Sequence, residues 1–440
     1  MKSKIRRLLF DTLDTLPPTP ARFLSKLLIE LQYGYFIKEI MYLTQKYPAK
    51  KVSSMKGIES PQNILVVRLD AIGDIVWTTP FFEYLRKAFP KANIDLIVRP
   101  VAAIVLQNCP YVNNIYTYDS KINCVEQEKD LKVMREKAYI YMQNLQKTNK
   151  AKYDCVFMPR EVFLGGGISN LYLAAFSQAP IRIGRSYGTN ILEKTRSEYI
   201  KPFFTYFTEM TIPQNEVLQI LEELNWLNIE KKDIHTQLWL TDQERENAHD
   251  FLDDYKEENN AIIVAVALQG SSKNRSWMFS NYIEVFKKLN KYSSRPIYYL
   301  LLDAAPLSAS QKRQLNSLSN VIDMTGKTSL REGIALISES AVYFGVGTGL
   351  MHIAAAFRKP VVELSVHFKN GRPMDSDSSI LVGPWGVPNI VLEPPSGIDG
   401  CVGWCTASFS HCINQIYPDQ AVDALQKIFR CKNFNGELSS

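Results

Sequence analysis

The stretch NILVVRLDAIGDIVWTTPFFEYLRKAFPKANIDLIVR, residues 63–99, decides the fold. Residues 63–69 form a nearly continuous apolar run, as expected of a strand buried on both faces. AIGD at 71–74 makes a tight turn, and 75–90 reads as a helix. Residues 92–99 are a second apolar run. Strand, turn, helix and strand at this spacing open a parallel α/β domain.

Working outward, strand-like segments recur at 113–119, 153–159 and 182–185, with a charged helical stretch over 125–150. Residues 209–259 read as helical and polar. The pattern then restarts: strands at 261–269, 296–302, 320–326, 341–347 and 360–365 alternate with helices at 280–290, 308–318, 329–340 and 349–359. A last helix is predicted over 418–430. Ahead of residue 61, Ile5, Leu8, Leu9, Leu13 and Leu16 recur at spacings of three or four and predict an amphipathic helix over 2–17, ended by Pro17, Pro18 and Pro20. A second helix is expected from 21 to 47. The expected organisation is a basic helical extension (1–60), a first α/β domain (61–240) and a second α/β domain (241–440). Open parallel sheets bind ligands beyond the carboxyl ends of their strands. Two such domains sharing a cleft suit group transfer from a nucleotide-bearing donor.

Composition narrows the function. The 440 residues are 46% hydrophobic and 22% charged, which excludes wholesale disorder, collagen and simple coiled coil. The net charge of +6 sits in residues 1–60, which hold 11 Lys/Arg against 5 Asp/Glu, whereas the other 380 hold 40 of each. The main body therefore lacks the basic excess of a nucleic-acid binder. The basic start, with Lys2, Lys4, Arg6, Arg7, Arg22 and Lys26, suggests contact with an anionic inner-membrane surface; the alternative is a helical extension packed on the body. The densest apolar run, AIIVAVAL at 261–268, has the length of a buried strand, not of a bilayer span. Seven cysteines and no secretory segment after MKSKIRRLLFDTLDTLPPTP point to a reducing, cytoplasmic location.

Four motifs carry the chemistry. In RLDAIGD (68–74), Gly73 sits between strand and helix, and Asp74 falls at the helix start, where the terminal field keeps a carboxylate ionised. Asp74 is thus either an ordinary helix cap or a base that accepts a hydroxyl proton. No GxGxxG is present, so no dinucleotide fingerprint is supported. In GVGTGLMHIAAAFRKPVV (345–362), Gly347, Thr348 and Gly349 form a seat for phosphate oxygens at a helix start, with His352 one turn on. In QGSSKNRSWMFSNY (269–282), Lys273 and Arg275 are the cations best placed to meet a leaving diphosphate. In CVGWCTASFSHCI (401–413), Cys401, Cys405, His411 and Cys412 offer soft ligands, but C-x3-C-x5-H-C is not a usual zinc spacing. Adjacent His411 and Cys412 are expected to ligate together only with strain, so packing thiols or a disulfide are expected instead. DSDSS (375–379) reads as a polar loop, not a metal clamp. No metal and no bound cofactor are expected.

The chain resembles the ADP-heptose:lipopolysaccharide heptosyltransferase family, glycosyltransferase family 9. The resemblance rests on residues 64–98 and 321–364, with GPWG (383–386) and HCINQIYPDQAVDAL (411–425) in support. It implies a GT-B fold of two facing Rossmann-like domains, the first (61–240) binding the acceptor and the second (241–440) the donor. It implies an inverting sugar transfer from a nucleotide-sugar donor to a lipid-linked glycan acceptor such as a lipopolysaccharide core. Asp74 would be the general base. Thr348 and Gly349 would hold the donor diphosphate, with His352 close by, and Arg275 would stand where the family usually has Lys. Gly347 departs from the family, which usually has Asp at that place. Arg160 and Glu161 lie where acceptor specificity would be set. Two alternatives remain at this stage: an epimerase or hydrolase of nucleotide sugars, and an inactive scaffold.

Overall fold

The computed structural model describes residues 13, 15–52, 60–119, 128–150, 152–161, 167–257, 261–375, 377–398, 400–401, 405 and 407–430. By contacts the chain divides into two compact units. The first comprises Met1–Ala71, Thr78–Ala103 and Cys109–Asp233; the second comprises Ile72–Trp77, Ile104–Asn108 and Ile234–Ser440.

The elements, in order, are α1 (Pro18–Lys46), β1 (Asn63–Arg68), α2 (Ile72–Ala88), β2 (Asn93–Val98), α3 (Pro100–Val105), β3 (Asn114–Thr117), α4 (Glu128–Asn149), β4 (Cys155–Glu161), α5 (Gly167–Phe176), β5 (Ile181–Tyr187), α6 (Ile191–Ile200), β6 (Tyr206–Met210) and α7 (Glu216–Glu222). They continue with α8 (Asp242–Glu257), β7 (Ile262–Ala267), α9 (Phe279–Tyr292), β8 (Ile297–Leu301), α10 (Ala309–Leu315), β9 (Val321–Asp323), α11 (Leu330–Glu339), β10 (Val342–Val346), α12 (Gly349–Ala356), β11 (Val361–Leu364), α13 (Ser379–Val382), β12 (Asn389–Leu392) and α14 (Pro418–Arg430).

The first sheet runs β3-β2-β1-β4-β5-β6 and the second β12-β11-β10-β7-β8-β9. All neighbours pair in parallel. Each sheet thus builds outward from its first strand, turns back, and builds the other way. The order reverses between β1 and β4 in one sheet and between β7 and β10 in the other. At such a point the following loops diverge and leave a crevice beyond the strand ends. Strands β1, β7 and β10 are the apolar runs of the sequence, and every residue of β7 and β10 is buried. In the second unit, α14 turns Ala421, Val422, Leu425 and Ile428 into the same core as Val264, Phe344 and Leu364.

Three differences from the sequence reading stand out. Within 209–259, read as helical, β6 ends at Met210, α7 covers only Glu216–Glu222, and α8 starts at Asp242. Strand β6 lies at a sheet edge with most side chains half-buried, so it shows no continuous apolar run. Strand β12 escaped for the same reason. At the N-terminus, most of the predicted helix over 2–17 lies outside the described residues. Leu13 is buried against Ile29, Ile37 and Leu192, so it covers the first unit and faces no membrane. Among the described residues no helix is long and apolar enough to cross a membrane.

Candidate functional site

The reversal point of the second sheet gathers most of the sequence-predicted residues. Strand β10 leads into Gly347 and Thr348, and α12 begins at Gly349. Thr348 adopts an extended backbone and its side chain accepts from Leu350 N at 3.2 Å, which makes it the N-cap. Below it, the buried Tyr343 hydroxyl donates to Val346 O at 2.7 Å and holds the strand end. A capped helix start beyond a parallel strand presents backbone N–H groups and the positive end of the helix field to an anion.

The start of α2 belongs to the same unit. Trp77 is buried, and its Nε1 donates to His352 Nδ1 at 3.1 Å, with the rings meeting edge to face at 4.5 Å. The bond makes Nδ1 the acceptor, so the neutral imidazole carries its proton on Nε2. Burial pushes the His352 pKa down to about 3, so the ring is neutral at pH 7. Gly73 lies against this ring: a Cβ there would meet His352 Cδ2 at 2.7 Å. Gly349 faces Ile72 just as closely. The turn bearing Asp74 thus packs on the start of α12 because two glycines remove the side chains that would keep them apart. Asp74 is half-buried in the first turn of α2. His352 contributes as a buried support for that turn, and its neutrality removes it as a cationic phosphate ligand.

The loop after β7 carries the cations. Lys273 and Arg275 bound a short 3-10 turn, with Lys273 exposed and Arg275 half-buried. Arg275 Nη2 pairs with Asp377 Oδ1 at 2.5 Å. The DSDSS loop therefore supplies the partner of Arg275, a role its sequence did not suggest. Trp277 anchors the loop by donating Nε1 to Ile416 O at 3.0 Å. A cleft of about 300 Å³ beside Lys273 is floored by Trp277, Phe279 and Phe409.

Sequence reasoning missed Glu363, on β11. A Cβ at Gly347 would stand 2.5 Å from Glu363 Oε1, so the glycine leaves room for that carboxyl. Glu363 is buried, and its Oε2 has no hydrogen-bond partner. Burial, then Glu393 and Asp377, raise its pKa to about 8 against the pull of Arg275. Within VVEL it reads as an ordinary strand residue; the only signal was the small residue at 347, in the turn after the neighbouring strand.

In the first unit, the turn after β1 is held by charge. Arg68 Nε pairs with Asp70 Oδ2 at 2.9 Å, and Arg160 binds the other oxygen of the same buried carboxylate. Asn170 Oδ1 accepts from Leu69 N at 3.2 Å. Arg160, read as an acceptor contact, is thus committed to Asp70; the side chain of Glu161 lies outside the described residues.

Known proteins resemble this chain in sequence and in fold. Residues 172–369 match the model of glycosyltransferase family 9 (heptosyltransferase). The chain carries a glycosyltransferase family 9 domain. That domain is a glycosyltransferase domain. The family 9 match contains Lys273, Arg275, Gly347, Thr348, Gly349 and His352, whereas Asp74 lies ahead of it. The chain is 20% identical over 315 residues to the lipopolysaccharide core heptosyltransferase OpsX of Haemophilus influenzae, covering 70% of this chain and 79% of that one. In fold it is similar to the family 9 glycosyltransferase of Veillonella parvula (TM-score 0.62, 17% identity, 84% and 97% of the two chains). It is also similar to ADP-heptose lipopolysaccharide heptosyltransferase II of E. coli (TM-score 0.57, 16% identity, 83% and 98%). The α/β fold with two parallel six-stranded sheets is therefore GT-B-like.

Proposed function

We propose that this chain is an inverting heptosyltransferase that takes an ADP-linked heptose and adds it to a hydroxyl of a lipopolysaccharide core or related lipid-linked glycan. The observation that carries the reading is the packing of the Asp74 turn on the capped start of α12, through Gly73 against His352 and Gly349 against Ile72. A carboxylate and an anion-binding helix start held in one unit are the two halves of a displacement at an anomeric carbon. The names of the H. influenzae and E. coli relatives supply heptose, ADP and lipopolysaccharide. In this reading the second unit takes the donor and the first takes the acceptor.

The acceptor O–H gives its proton to the Asp74 carboxylate as its oxygen bonds to the anomeric carbon. The bond from that carbon to the diphosphate oxygen breaks, and the nucleoside diphosphate leaves with the electron pair. Attack opposite the leaving group inverts the centre. Lys273, Arg275 and the N–H groups at Thr348 and Gly349 stabilise the departing charge, in place of a divalent metal. Glu363, protonated at neutral pH, accepts or donates a hydrogen bond to the donor without repelling its phosphates. Asp377 holds Arg275 in place until the diphosphate arrives.

The acceptor implies work at a membrane face. Helix α1 buries Ala21, Ser25 and Ile29 on one side and exposes Phe23, Leu27 and Leu31 on the other, with Tyr35 also exposed beyond a kink at Tyr33. An exposed apolar row on a helix that docks by its other side fits contact with a surface. With the neighbouring Lys26 and Lys38 it forms the contact to the anionic leaflet.

The test is transfer from ADP-heptose, within a panel of ADP-, GDP-, UDP- and TDP-sugars, to a truncated lipopolysaccharide core, with the anomeric configuration read by NMR. Asp74→Asn should bind donor normally and lose about 10²–10⁴ in turnover. Near-normal transfer by that variant removes Asp74 as base, and free sugar without a new glycosidic bond points to hydrolysis.

A further inference from the structure

The Cys401, Cys405, His411 and Cys412 side chains, far apart in type from any motif of sugar transfer, converge. One ligand atom from each lies within 4.8 Å of all the others. The three sulfurs are 3.8, 3.6 and 3.3 Å from a single nitrogen, His411 Nδ1. All three cysteines are buried and none is joined in a disulfide. One imidazole nitrogen takes part in one hydrogen bond, as donor or acceptor. The thiols also hydrogen-bond to one another, Cys412 with Cys405 and with Cys401, so all four groups already point at one another.

A tetrahedral metal fits all three separations. With metal–sulfur bonds of about 2.3 Å and metal–nitrogen bonds of about 2.0–2.1 Å, sulfur and nitrogen on adjacent vertices stand about 3.6 Å apart. The three observed separations bracket that value. The objection from sequence, that His411 and Cys412 are adjacent, is met by the backbone. His411 sits at φ −137°, ψ −97°, and Cys412 opens a 3-10 turn, Cys412–Gln415. This kink points consecutive side chains at one point. On the other side, Cys401 N bonds to Ile398 O at 3.0 Å and closes the turn that delivers its sulfur. Phe368 completes an apolar wall around the three thiols.

We propose that Cys401, Cys405, His411 Nδ1 and Cys412 form a closed, structural Cys3His site for one soft divalent metal ion, zinc by its ligand set. Binding displaces a proton from each thiol, leaving three thiolates and a neutral imidazole around the ion. With four protein ligands there is no open position for catalysis. The role is mechanical. Asn274 Nδ2 donates to Cys405 O at 2.7 Å, and Ser410 Oγ donates to Ser276 O at 2.5 Å. Both bonds brace the loop of Lys273 and Arg275, so the metal would fix the cations that face the site. The metal assignment rests on the ligand geometry and stands whether or not the proposed transfer is right.

Full-length protein purified under reducing conditions, without affinity resins that shed metal, should contain about one zinc per chain by elemental analysis. Exchange into cobalt(II) should give the visible bands of a tetrahedral thiolate complex. Cys405→Ser and His411→Ala should each lose the metal, and loss should raise amide hydrogen exchange over 272–278. If the variants fail to fold, the cobalt spectrum of the wild type still decides. Metal-free native protein that gives no tetrahedral spectrum with added cobalt overturns the proposal. So does a disulfide between any two of these cysteines in protein isolated without oxidant.

Discussion

Trp77 Nε1 donates to His352 Nδ1 at 3.1 Å, and through this bond the start of α2 is tied to α12 within one unit. The indole has no other strong polar function, so replacing it by an apolar ring strands a buried acceptor. Trp77→Phe should cost about 1–3 kcal/mol in urea unfolding with an unchanged m value. A loss indistinguishable from zero would mean that the contact holds nothing.

Glu363 makes stability depend on pH with a definite sign. Its folded pKa, about 8, lies above the ordinary carboxylate value, so the native state keeps a proton that the unfolded chain has released. This contribution is present below the unfolded pKa and is lost as pH rises towards about 8. Asp303, raised by burial to about 7, acts in the same direction. Between about pH 5 and about pH 8 these two groups should contribute progressively less stability, and Glu363→Gln should remove its part of that pH dependence. Equal slopes for the two proteins, measured by urea midpoints at several pH values, would remove Glu363 from the account.

The leaving diphosphate is assigned to Lys273, Arg275 and the start of α12, all protein groups. Transfer rates should therefore be unchanged when Mg²⁺ or Mn²⁺ is added to buffer freed of them. A strict requirement for either ion would show that the charge is carried otherwise. Such an effect is separable from the cysteine site, whose metal is read by elemental analysis and not by rate.

The exposed residues Phe23, Leu27, Leu31 and Tyr35 give the membrane reading its own test. Full-length protein should sediment with anionic vesicles at low salt, be released at high salt, and ignore neutral vesicles. Leu27→Glu with Leu31→Glu lies on solvent and should abolish sedimentation while leaving the thermal transition in place. Undiminished binding by this double variant would move the contact elsewhere.

What the sequence determined by itself was the class of the molecule and the addresses of its strands. Runs such as ILVV at 64–67 and IIVAVA at 262–267 are buried on both faces, and a strand with no solvent side has no polar alternation to confuse its reading. The glycine-rich turn before α12 was legible too, because backbone approach to a ligand demands the absence of side chains. Edge strands β6 and β12 were not, since half-buried strands mix polar and apolar residues like loops. Tertiary structure alone decided who meets whom. Gly73 reads as a turn glycine until His352, 279 positions later, is seen to fill its missing side chain. Gly347 reads as a lost carboxylate until Glu363 arrives beside it from the neighbouring strand. C-x3-C-x5-H-C departs from the spacings of regular turns, and only the kink at His411 brings its four ligand atoms to one point. Sequence spacing reports local geometry, whereas these contacts depend on how parallel strands are ordered and on where irregular backbone bends. Both are fixed by packing over the whole unit.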